Sequence, residues 1–195
     1  MRLITLLLHN FEYKGVVVAI WEKALLGGGC FWCIEAVYNR VAGVKSAISG
    51  YAGGVRKNPS YEQICTGVTG HAEVVEVTFD AERISYEEIL DIFWEIHNPT
   101  TLNAQGADKG TQYRSVIYYT DDEQKEKALK SIAQLQERLG DKIVTEVSSA
   151  PEFFEAEEYH QDYYTQHPTQ GYCYAVVAPK IEKFMTKFGD KVKGA

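Results

Sequence analysis

The segment Gly-Gly-Gly-Cys-Phe-Trp-Cys at residues 27–33 brings together residue types that could do chemistry. Glycines let the backbone adopt conformations that are closed to other residues, and they let it approach a bound ligand closely. Cys30 follows the glycines directly and precedes a predicted helix. Because the N-terminal end of a helix stabilises a thiolate, this position predicts a lowered pKa for Cys30 and a reactive nucleophile. Phe31 and Trp32 predict an aromatic pocket beside that thiol.

Cys30 and Cys33 also form a C-x-x-C motif, which has three interpretations. The motif is a dithiol redox pair, half of a zinc site, or a nucleophile with an incidental neighbour. Zinc requires about four ligands, usually from a second paired motif, whereas Cys65 and Cys173 stand alone in the sequence. We therefore predict no metal site and interpret Cys65 as a small packing residue. The dithiol interpretation stays open, although two bulky aromatic residues between the cysteines are unlike the small or proline-containing pairs of thioredoxins.

The carboxyl group of Glu73 lies at the start of an alternation of apolar and polar residues. If residues 73–79 form a strand, Glu73 shares one face with Val75, Val77 and Phe79, and that face belongs to the core. Loss of hydration would then raise the pKa of Glu73, and a protonated carboxyl can act as a general acid near neutral pH. In the alternative, the strand begins after Glu73 and leaves the carboxyl solvated. The pattern alone does not choose between the two.

The composition limits the class of protein. The chain of 195 residues has a net charge of −7 and is 45% hydrophobic and 24% charged, which is typical of a globular protein. The acidic balance argues against nucleic-acid binding, because phosphate contacts need clustered Lys and Arg. No apolar run approaches the roughly 20 residues of a membrane span. Four cysteines are too few for a secreted disulfide scaffold and predict a reducing, cytoplasmic compartment.

The chain is predicted to have a non-catalytic N-terminal extension, residues 1–20, followed by a single catalytic domain, residues 21–195. The apolar run at residues 3–8 is shorter than the roughly 7–15 apolar residues of a signal peptide, and polar residues follow it at once. No additional apolar surface stands out in the sequence, so we expect a monomer.

The predicted elements follow the order strand–helix–strand–strand–helix–strand. Strands are predicted at residues 19–26, 44–51, 73–79, 113–119 and 143–147, and helices at 33–41, 85–97, 120–140, 157–166 and 180–188, with capping patterns at Ser60, Ser85 and Thr120. This order predicts a two-layer α+β sandwich of ferredoxin-like type, with a mixed or antiparallel sheet and a long, largely irregular C-terminal segment. A parallel doubly wound sheet is the alternative. The consecutive strands at 44–51 and 73–79, with no long helix between them, favour antiparallel pairing.

A series of short motifs runs in order from about residue 24 to residue 180. The motifs are Gly-Cys-Phe-Trp at 29–32, Gly-Tyr-Ala-Gly-Gly at 50–54, Asn-Pro-Ser-Tyr at 58–61, Gly-His-Ala-Glu at 70–73, Gly-Thr-Gln-Tyr-Arg-Ser at 110–115, Glu-Ala-Glu at 155–157 leading to His160 and Gln161, and Gly-Tyr-Cys at 171–173. In these residues the chain resembles the peptide methionine sulfoxide reductase A family. The resemblance covers most of the chain.

The resemblance implies a cytosolic-type repair enzyme. Its expected activity is reduction of the S epimer of methionine sulfoxide, either free or in oxidised proteins, to methionine. The family uses no metal and no organic cofactor, and thioredoxin or another external dithiol restores the reduced enzyme. The same resemblance implies a cysteine sulfenic acid and an intramolecular disulfide as intermediates, a sequence that fits the reversible steps of cysteine oxidation.

The resemblance also implies roles for individual residues. Cys30 matches the nucleophile and Glu73 the acid that protonates the sulfoxide oxygen. The other matched positions are Phe31 and Trp32 for the pocket of the substrate methyl group, Tyr61 and Tyr113 for hydroxyls that bind the oxygen, Asp108 for a polar residue of the site, and Cys173 for the resolving cysteine. Asp108 could instead brace the loop at residues 106–110. Where many members have glycine, this chain has Cys33, so two thiols compete to resolve the sulfenic acid. We favour Cys173, with Cys33 as a relay or substitute.

Two other function classes stay open. A general dithiol–disulfide oxidoreductase built on Cys30 and Cys33 would reduce insulin disulfides and would not need Glu73. A binding module would hold methionine-containing peptides in the aromatic pocket without consuming sulfoxide, and replacement of Cys30 would leave its affinity largely intact. The sulfoxide reductase interpretation is preferred because it accounts for the cysteine, the carboxyl and the tyrosines together.

Overall fold

The computed structural model describes residues 19–194, which form a mixed α+β fold. The predicted N-terminal extension, residues 1–20, lies outside the described residues except for its last two positions. The strands are β1 (Trp21–Gly27), β2 (Val44–Ala52), β3 (Ala72–Asp80), β4 (Ala104–Gln105), β5 (Asp108–Lys109), β6 (Val116–Tyr119), β7 (Glu146–Ser149) and β8 (Phe153–Glu155). The helices are α1 (Phe31–Tyr38), α2 (Tyr61–Cys65), α3 (Tyr86–Ile96), α4 (Asp122–Gln136), α5 (Tyr163–Gln166) and α6 (Ala178–Lys187).

The main sheet has six strands in the order β7-β6-β1-β3-β2-β8. Strand β1 pairs antiparallel with both β3 and β6, and β2 pairs antiparallel with both β3 and β8. Only the edge pair of β6 and β7 in this sheet is parallel. The sheet is therefore mixed but mainly antiparallel, and the parallel doubly wound alternative is excluded. Strands β4 and β5 form a separate hairpin.

The two faces of the sheet are both apolar but carry cores of different size. On one face Leu26, Val75 and Ile117 join the large core, against which α1, α3 and α6 pack. On the other face a smaller cluster includes Val74 and Tyr118. This division follows from the alternation of side chains along each strand, and it places Glu73 on the face that α1 covers.

Several sequence predictions are confirmed to within one or two residues. They include the strands β2 and β3 and the helix α3, which begins after the capping box of Ser85 and Glu88. The capping box of Ser60 and Gln63 also opens α2 as predicted. Each of these segments combines a clear hydrophobic period with a local start signal, which is why the sequence suffices to locate them.

Other boundaries were wrong for identifiable local reasons. The strand predicted from residue 113 begins at Val116, because Gly110, with φ of 144°, opens a 3₁₀ turn at Thr111–Tyr113. Asp121, not Thr120, caps α4, because its side chain accepts the N–H of Gln124 at 2.8 Å. Helix α4 ends at Gln136, four residues short of the predicted end, and the strand predicted at 143–147 is β7 at Glu146–Ser149.

The C-terminal part of the chain is more regular than predicted. After β8 it contains a 3₁₀ turn at Glu158–His160, helix α5, a π-helical turn at Cys173–Val177, and helix α6, which packs on both α1 and α3. Strands β4, β5 and β8, of two or three residues each, were not predicted. Within residues 19–194, no helix has the length and apolar character needed to cross a membrane.

Candidate active site

Cys30 lies where the sheet passes into the first helix. Strand β1 ends at Gly27, and Cys30 is the N-cap of α1, with its carbonyl accepting the N–H of Cys33 at 3.1 Å. Gly29 has φ of +92°, and a Cβ atom there would lie 2.5 Å from Cγ of Gln105. The backbone before the thiol can therefore turn this tightly, and pack this closely on the β4–β5 hairpin, only with glycine at this position.

Glu73 on β3 is buried beside the start of α1. Its side chain is 1% exposed, and its Oε2 atom accepts the backbone N–H of Phe31 at 3.1 Å. Burial raises the pKa of Glu73 to about 8, against the opposing effect of that hydrogen bond, and the charges of Asp108 and Cys33 raise it further. Of the two alternatives for this carboxyl, the structure has the buried one. At neutral pH Glu73 carries a proton.

The thiols of Cys30 and Cys33 interact directly and titrate as a pair. Burial raises the pKa of Cys30 well above its ordinary value, and the Cys33 thiol and the charge of Glu73 act in the same direction. The pKa of Cys33 is lowered to about 7, first by its interaction with Cys30 and, against burial, by the ammonium of Lys180. The prediction of a lowered pKa for Cys30 was therefore wrong, because the loss of hydration, then the Cys33 thiol and then the carboxyl of Glu73 outweigh the helix N-terminus.

Trp32 is held on several sides by aromatic residues from the C-terminal part of the chain. The ring of Tyr163 stacks on the indole at 3.8 Å with an angle of 6°, and Tyr172 meets it edge-on at 5.9 Å. The indole Nε1–H donates to Nδ1 of His160 at 3.1 Å. Phe31 packs 5.1 Å from the ring of the same histidine. Phe31 and Trp32 thus belong to an aromatic cluster next to Cys30, in which Phe31 is buried and Trp32 is partly buried; that they form a substrate pocket stays a prediction.

Tyr61 and Tyr113 approach the same carboxyl from two different elements. In both tyrosines burial raises the pKa, and the charge of Glu73 raises it further. Both phenols are therefore protonated throughout the physiological range and can donate hydrogen bonds near Glu73. Tyr61 is fixed at the start of α2, where its backbone N–H donates to Glu157 at 2.8 Å, and the same carboxylate accepts the hydroxyl of Tyr51 at 2.9 Å.

Asp108 contacts the segment that carries the last cysteine. Its Oδ2 atom accepts the hydroxyl of Tyr172 at 2.5 Å, so the β4–β5 hairpin is joined to the residue before Cys173. Burial raises the pKa of Tyr172, and the charges of Cys30 and Cys33 raise it as well. Asp108 therefore faces the site instead of only bracing its own loop.

Of the two cysteines at the start of α1, Cys33 is the one whose charge affects the pKa of Cys173. Cys173 is 0% exposed at the start of the π-helical turn, and burial followed by the charge of Cys33 raises its pKa. Cys30, Cys33 and Cys173 are all free, buried thiols. Cys65, in contrast, is exposed on α2, so its interpretation as a packing residue was wrong.

Three residues of this site had no predicted role, which are His160, Tyr163 and Tyr172. His160 and Tyr172 belong to quoted motifs, but nothing in the sequence shows that they meet Trp32. Within the part of the chain that the structure describes, no three His, Cys, Asp or Glu side chains are grouped as a metal site would require.

Comparison of the sequence with known proteins identifies the family of this chain. The sequence model of the family described as peptide methionine sulfoxide reductase matches residues 22–192. The chain belongs to this family. Peptide methionine sulfoxide reductase MsrA of Polynucleobacter asymbioticus is 59% identical over 169 residues, which are 86% of this chain and 89% of that protein.

Solved structures of the family have the same fold. Mxr1 from Saccharomyces cerevisiae in its reduced form superposes with a TM-score of 0.73 at 35% identity, covering 78% of this chain and 89% of that one. The structure of Mxr1 in complex with Trx2 gives a TM-score of 0.52 at 26% identity, covering 73% of this chain and 84% of that one. The residues gathered around Cys30 therefore belong to a methionine sulfoxide reductase scaffold, which favours that function over a general dithiol oxidoreductase.

Proposed function

We propose that this chain reduces methionine S-sulfoxide, free or in proteins, with Cys30 as the nucleophile and Glu73 as the acid. The observation that carries the proposal is the carboxyl of Glu73, which is buried, protonated at neutral pH and next to the Cys30 thiol. A sulfoxide sulfur accepts a nucleophile only when its oxygen is protonated or strongly hydrogen-bonded. A buried neutral carboxyl supplies that proton where water cannot.

The first step transfers the sulfoxide oxygen to the enzyme. The sulfur of Cys30 attacks the sulfoxide sulfur while Glu73 protonates the oxygen, and the phenols of Tyr61 and Tyr113 donate hydrogen bonds to it. In balance, one thiol and one sulfoxide become one sulfenic acid and one thioether, which is methionine. The proton of the Cys30 thiol replaces the proton that Glu73 gives away, so no external acid is consumed.

The aromatic cluster accounts for substrate binding. In this proposal Trp32, which is partly buried, offers the apolar surface for the methyl group of the substrate, and the buried Phe31 lies beside it. The oxygen then points to the carboxyl and the phenols. Asp108, which accepts the hydroxyl of Tyr172, is proposed as a further polar residue of this site. Apart from its methyl group and its oxygen, the methionine sulfoxide side chain has no group that a site could recognise. The separation of the apolar wall from the polar wall of carboxyl and phenols therefore sets the specificity for this substrate.

The second stage returns the sulfenic acid to a thiol. Cys173 is proposed as the resolving cysteine, with Cys33 as a relay, because the charge interactions join Cys30 to Cys33 and Cys33 to Cys173. Attack of one thiol on the sulfenic acid forms a disulfide and releases water. Exchange between thiols then moves the disulfide to Cys173.

Reduction of that disulfide requires an external dithiol, for which we propose thioredoxin. Its support is the complex of the relative Mxr1 with Trx2. The electrons of the whole cycle come from thiols, so the proposal includes no metal and no organic cofactor. We further propose a cytoplasmic monomer with one catalytic domain at residues 21–195 and a non-catalytic extension at residues 1–20. A ferredoxin-like core is supported by the strand order β6-β1-β3-β2 within the sheet.

The stereochemistry of turnover tests this function. With dithiothreitol as reductant, we expect the wild-type chain to consume a chromophore-tagged methionine S-sulfoxide and to leave the R epimer unchanged, because inversion at sulfur exchanges the methyl group and the oxygen between the two walls. Reduced product is measured by chromatography. Binding of sulfoxide without turnover would favour a peptide-binding module, and reduction of insulin disulfides without sulfoxide turnover would favour a dithiol oxidoreductase.

Replacement of Cys173 tests the resolving step. We expect Cys173→Ser to form about one methionine per chain in a single turnover but to lose at least about 90% of thioredoxin-dependent turnover, because the remaining Cys30–Cys33 disulfide is buried. Cys65→Ser is the matched control, since Cys65 is an exposed cysteine outside the thiol series. Full thioredoxin-dependent turnover by Cys173→Ser would make Cys33 the resolving cysteine.

A further inference from the structure

Strand β8 is an open edge of the main sheet, since the strand order ends with it. The next residue, Ala156, donates its N–H to the carbonyl of Ser49 on β2 at 2.9 Å. Hydrogen-bonded positions alternate along an antiparallel pair, so the N–H and C=O groups of Phe153 and Glu155 point away from β2. None of the described residues forms a hydrogen bond to these outward groups. They are therefore free to pair with an added strand.

A groove of about 460 Å³ is lined by β8 and by residues 58–60. Its lining includes the carboxylates of Glu152, Glu155 and Glu157 but no Lys or Arg, since the basic residues that precede residue 58 do not line it. Glu152 and Glu155 are exposed, and neither forms an ion pair within the part of the chain that the structure describes. The groove therefore presents negative charge beside the free backbone groups of β8.

This groove adjoins the polar side of the proposed active site. Glu157, which lines the groove, accepts the backbone N–H of Tyr61 at 2.8 Å. Across the sheet, Phe154 on β8 lies opposite Tyr51 on β2, and Tyr51 lies opposite Glu73 on β3. Because neighbouring strands are about 4.8 Å apart, a strand added outside β8 would lie roughly 15 Å from Glu73, which about four or five extended residues can span. A polypeptide bound to β8 can therefore reach the site with a methionine side chain.

We propose that the edge of β8 binds an extended, basic segment of the oxidised protein substrate as an added strand, a few residues from its methionine S-sulfoxide. The outward backbone groups of β8 pair with backbone groups of this segment, and the carboxylates of the groove attract its Lys and Arg side chains. The inference rests on the proposed function, because it concerns how the same site takes protein substrates. Free methionine sulfoxide does not reach this edge and gains nothing from it.

Four substrates separate the contributions of backbone and charge. The basic peptide has methionine S-sulfoxide between two arms of alternating Thr and Lys, and the acidic peptide has Glu in place of Lys. The methylated peptide is the basic one with every arm nitrogen methylated, and the fourth substrate is N-acetylmethionine S-sulfoxide amide. We expect the wild-type KM to be about tenfold lower for the basic peptide than for the other three, with kcat equal to within about twofold, because the strand acts on binding and not on the reacting atoms.

Two substitutions at one residue isolate the outward N–H group. Glu155→Gln and Glu155→Pro both remove the charge, but proline also removes the N–H that points away from β2 and leaves the hydrogen bonds to β2 in place. For the basic peptide, we expect KM to rise about threefold in Glu155→Gln and about tenfold in Glu155→Pro. Glu152→Gln should resemble Glu155→Gln. Glu137→Gln, which alters an exposed carboxylate at the end of α4, should equal wild type. KM for the N-acetylated amide should change by less than about twofold in all four variants.

Binding without turnover keeps this inference distinct from the proposed function. A fluorescently labelled basic peptide with reduced methionine should bind the wild-type chain with a Kd about tenfold lower than its methylated form, as measured by fluorescence anisotropy. If this difference is found but no sulfoxide is consumed, the proposed function is overturned and the binding edge is supported.

Two results would overturn the inference itself while turnover of the N-acetylated amide stayed intact. Equal KM and Kd values for the basic and methylated peptides would exclude an added strand. Equal values for the basic and acidic peptides would exclude selection of a basic segment, and the carboxylates would then serve only to protect the edge from pairing. If Glu155→Pro also loses turnover of the N-acetylated amide, the comparison of the basic and methylated peptides on the wild-type chain decides the question.

Discussion

Replacement of Cys30 by serine should abolish the reduction of methionine S-sulfoxide. We expect the rate to fall at least about 1,000-fold, because a serine hydroxyl is a far weaker nucleophile than a thiol and forms no sulfenic acid. The other buried thiols do not replace it, since Cys33 lies one helical turn further along α1 and Cys173 interacts with Cys33. The measurement is a single-turnover assay of methionine formed per chain with dithiothreitol.

The controls for this variant separate the nucleophile from the other cysteines. Cys65→Ser should retain wild-type turnover, because Cys65 is exposed and its neighbour Tyr61 keeps its own hydroxyl. Cys33→Ser should still form about one methionine per chain, because the oxygen transfer needs only Cys30. More than about a tenth of wild-type turnover in Cys30→Ser would show that Cys33 attacks the sulfoxide. Circular dichroism and thermal unfolding check that the serine chain is folded.

The sequence predicts the parts of this protein that depend on local pattern. Strand β3 has an uninterrupted alternation, and α3 has both a capping box and a helical period, so both were located correctly. Strands β4, β5 and β8 have only two or three residues, which is too few for any period, and each exists because of its partner in space. The start of β6 was misplaced because one glycine conformation at Gly110 redirects the chain.

The residues of the site also fall into those that a local sequence pattern could predict and those that depend on contacts in the folded chain. Cys30 could be singled out because it adjoins a glycine turn, whereas the strand pattern left open whether Glu73 is buried, and its role as the acid was predicted from the family resemblance. The contact of His160 with Trp32 could not be predicted, since 128 residues separate the two and only the folded chain brings their rings together. The pKa of Cys30 was predicted in the wrong direction for a related reason. The helix N-terminus is visible in the sequence, whereas burial and the approach of Glu73 are properties of the packed structure.

Replacement of Glu73 by glutamine should give the second-largest loss of activity. Glutamine keeps the acceptor for the Phe31 N–H but has no proton to transfer, so we expect kcat to fall about 100-fold to 10,000-fold. In the wild-type chain the rate should also fall as pH rises through about 8, because Glu73 loses its proton there. In Glu73→Gln this loss above pH 8 should be absent. Both are measured from pH profiles of sulfoxide reduction with dithiothreitol.

The thermal stability of Glu73→Gln shows whether its low activity comes from the missing acid or from a chain that does not fold. The pKa of Glu73 is raised from 4.5 to about 8 on folding, so between these values the folded chain binds more protons than the unfolded chain. Its contribution to stability therefore falls as pH rises through that interval. Glutamine removes this pH-dependent cost, and Glu73→Gln should unfold at a higher temperature than wild type at pH 8–9, with a smaller difference near pH 5. A folded but inactive chain is the expected result.

The rate at which Cys30 is alkylated distinguishes the loss of the Glu73 acid from damage to the Cys30 nucleophile. The charge of ionised Glu73 raises the pKa of Cys30, so its removal should favour the thiolate above pH 8 and increase the rate of Cys30 alkylation by iodoacetamide, while sulfoxide reduction falls. A merely distorted site would lose both reactions. If Glu73→Gln instead reduced sulfoxide at the wild-type rate with the same fall near pH 8, the proton would come from another donor. The phenols of Tyr61 and Tyr113 would then be the groups to replace, since the charge of Glu73 acts on both and both remain protonated at that pH.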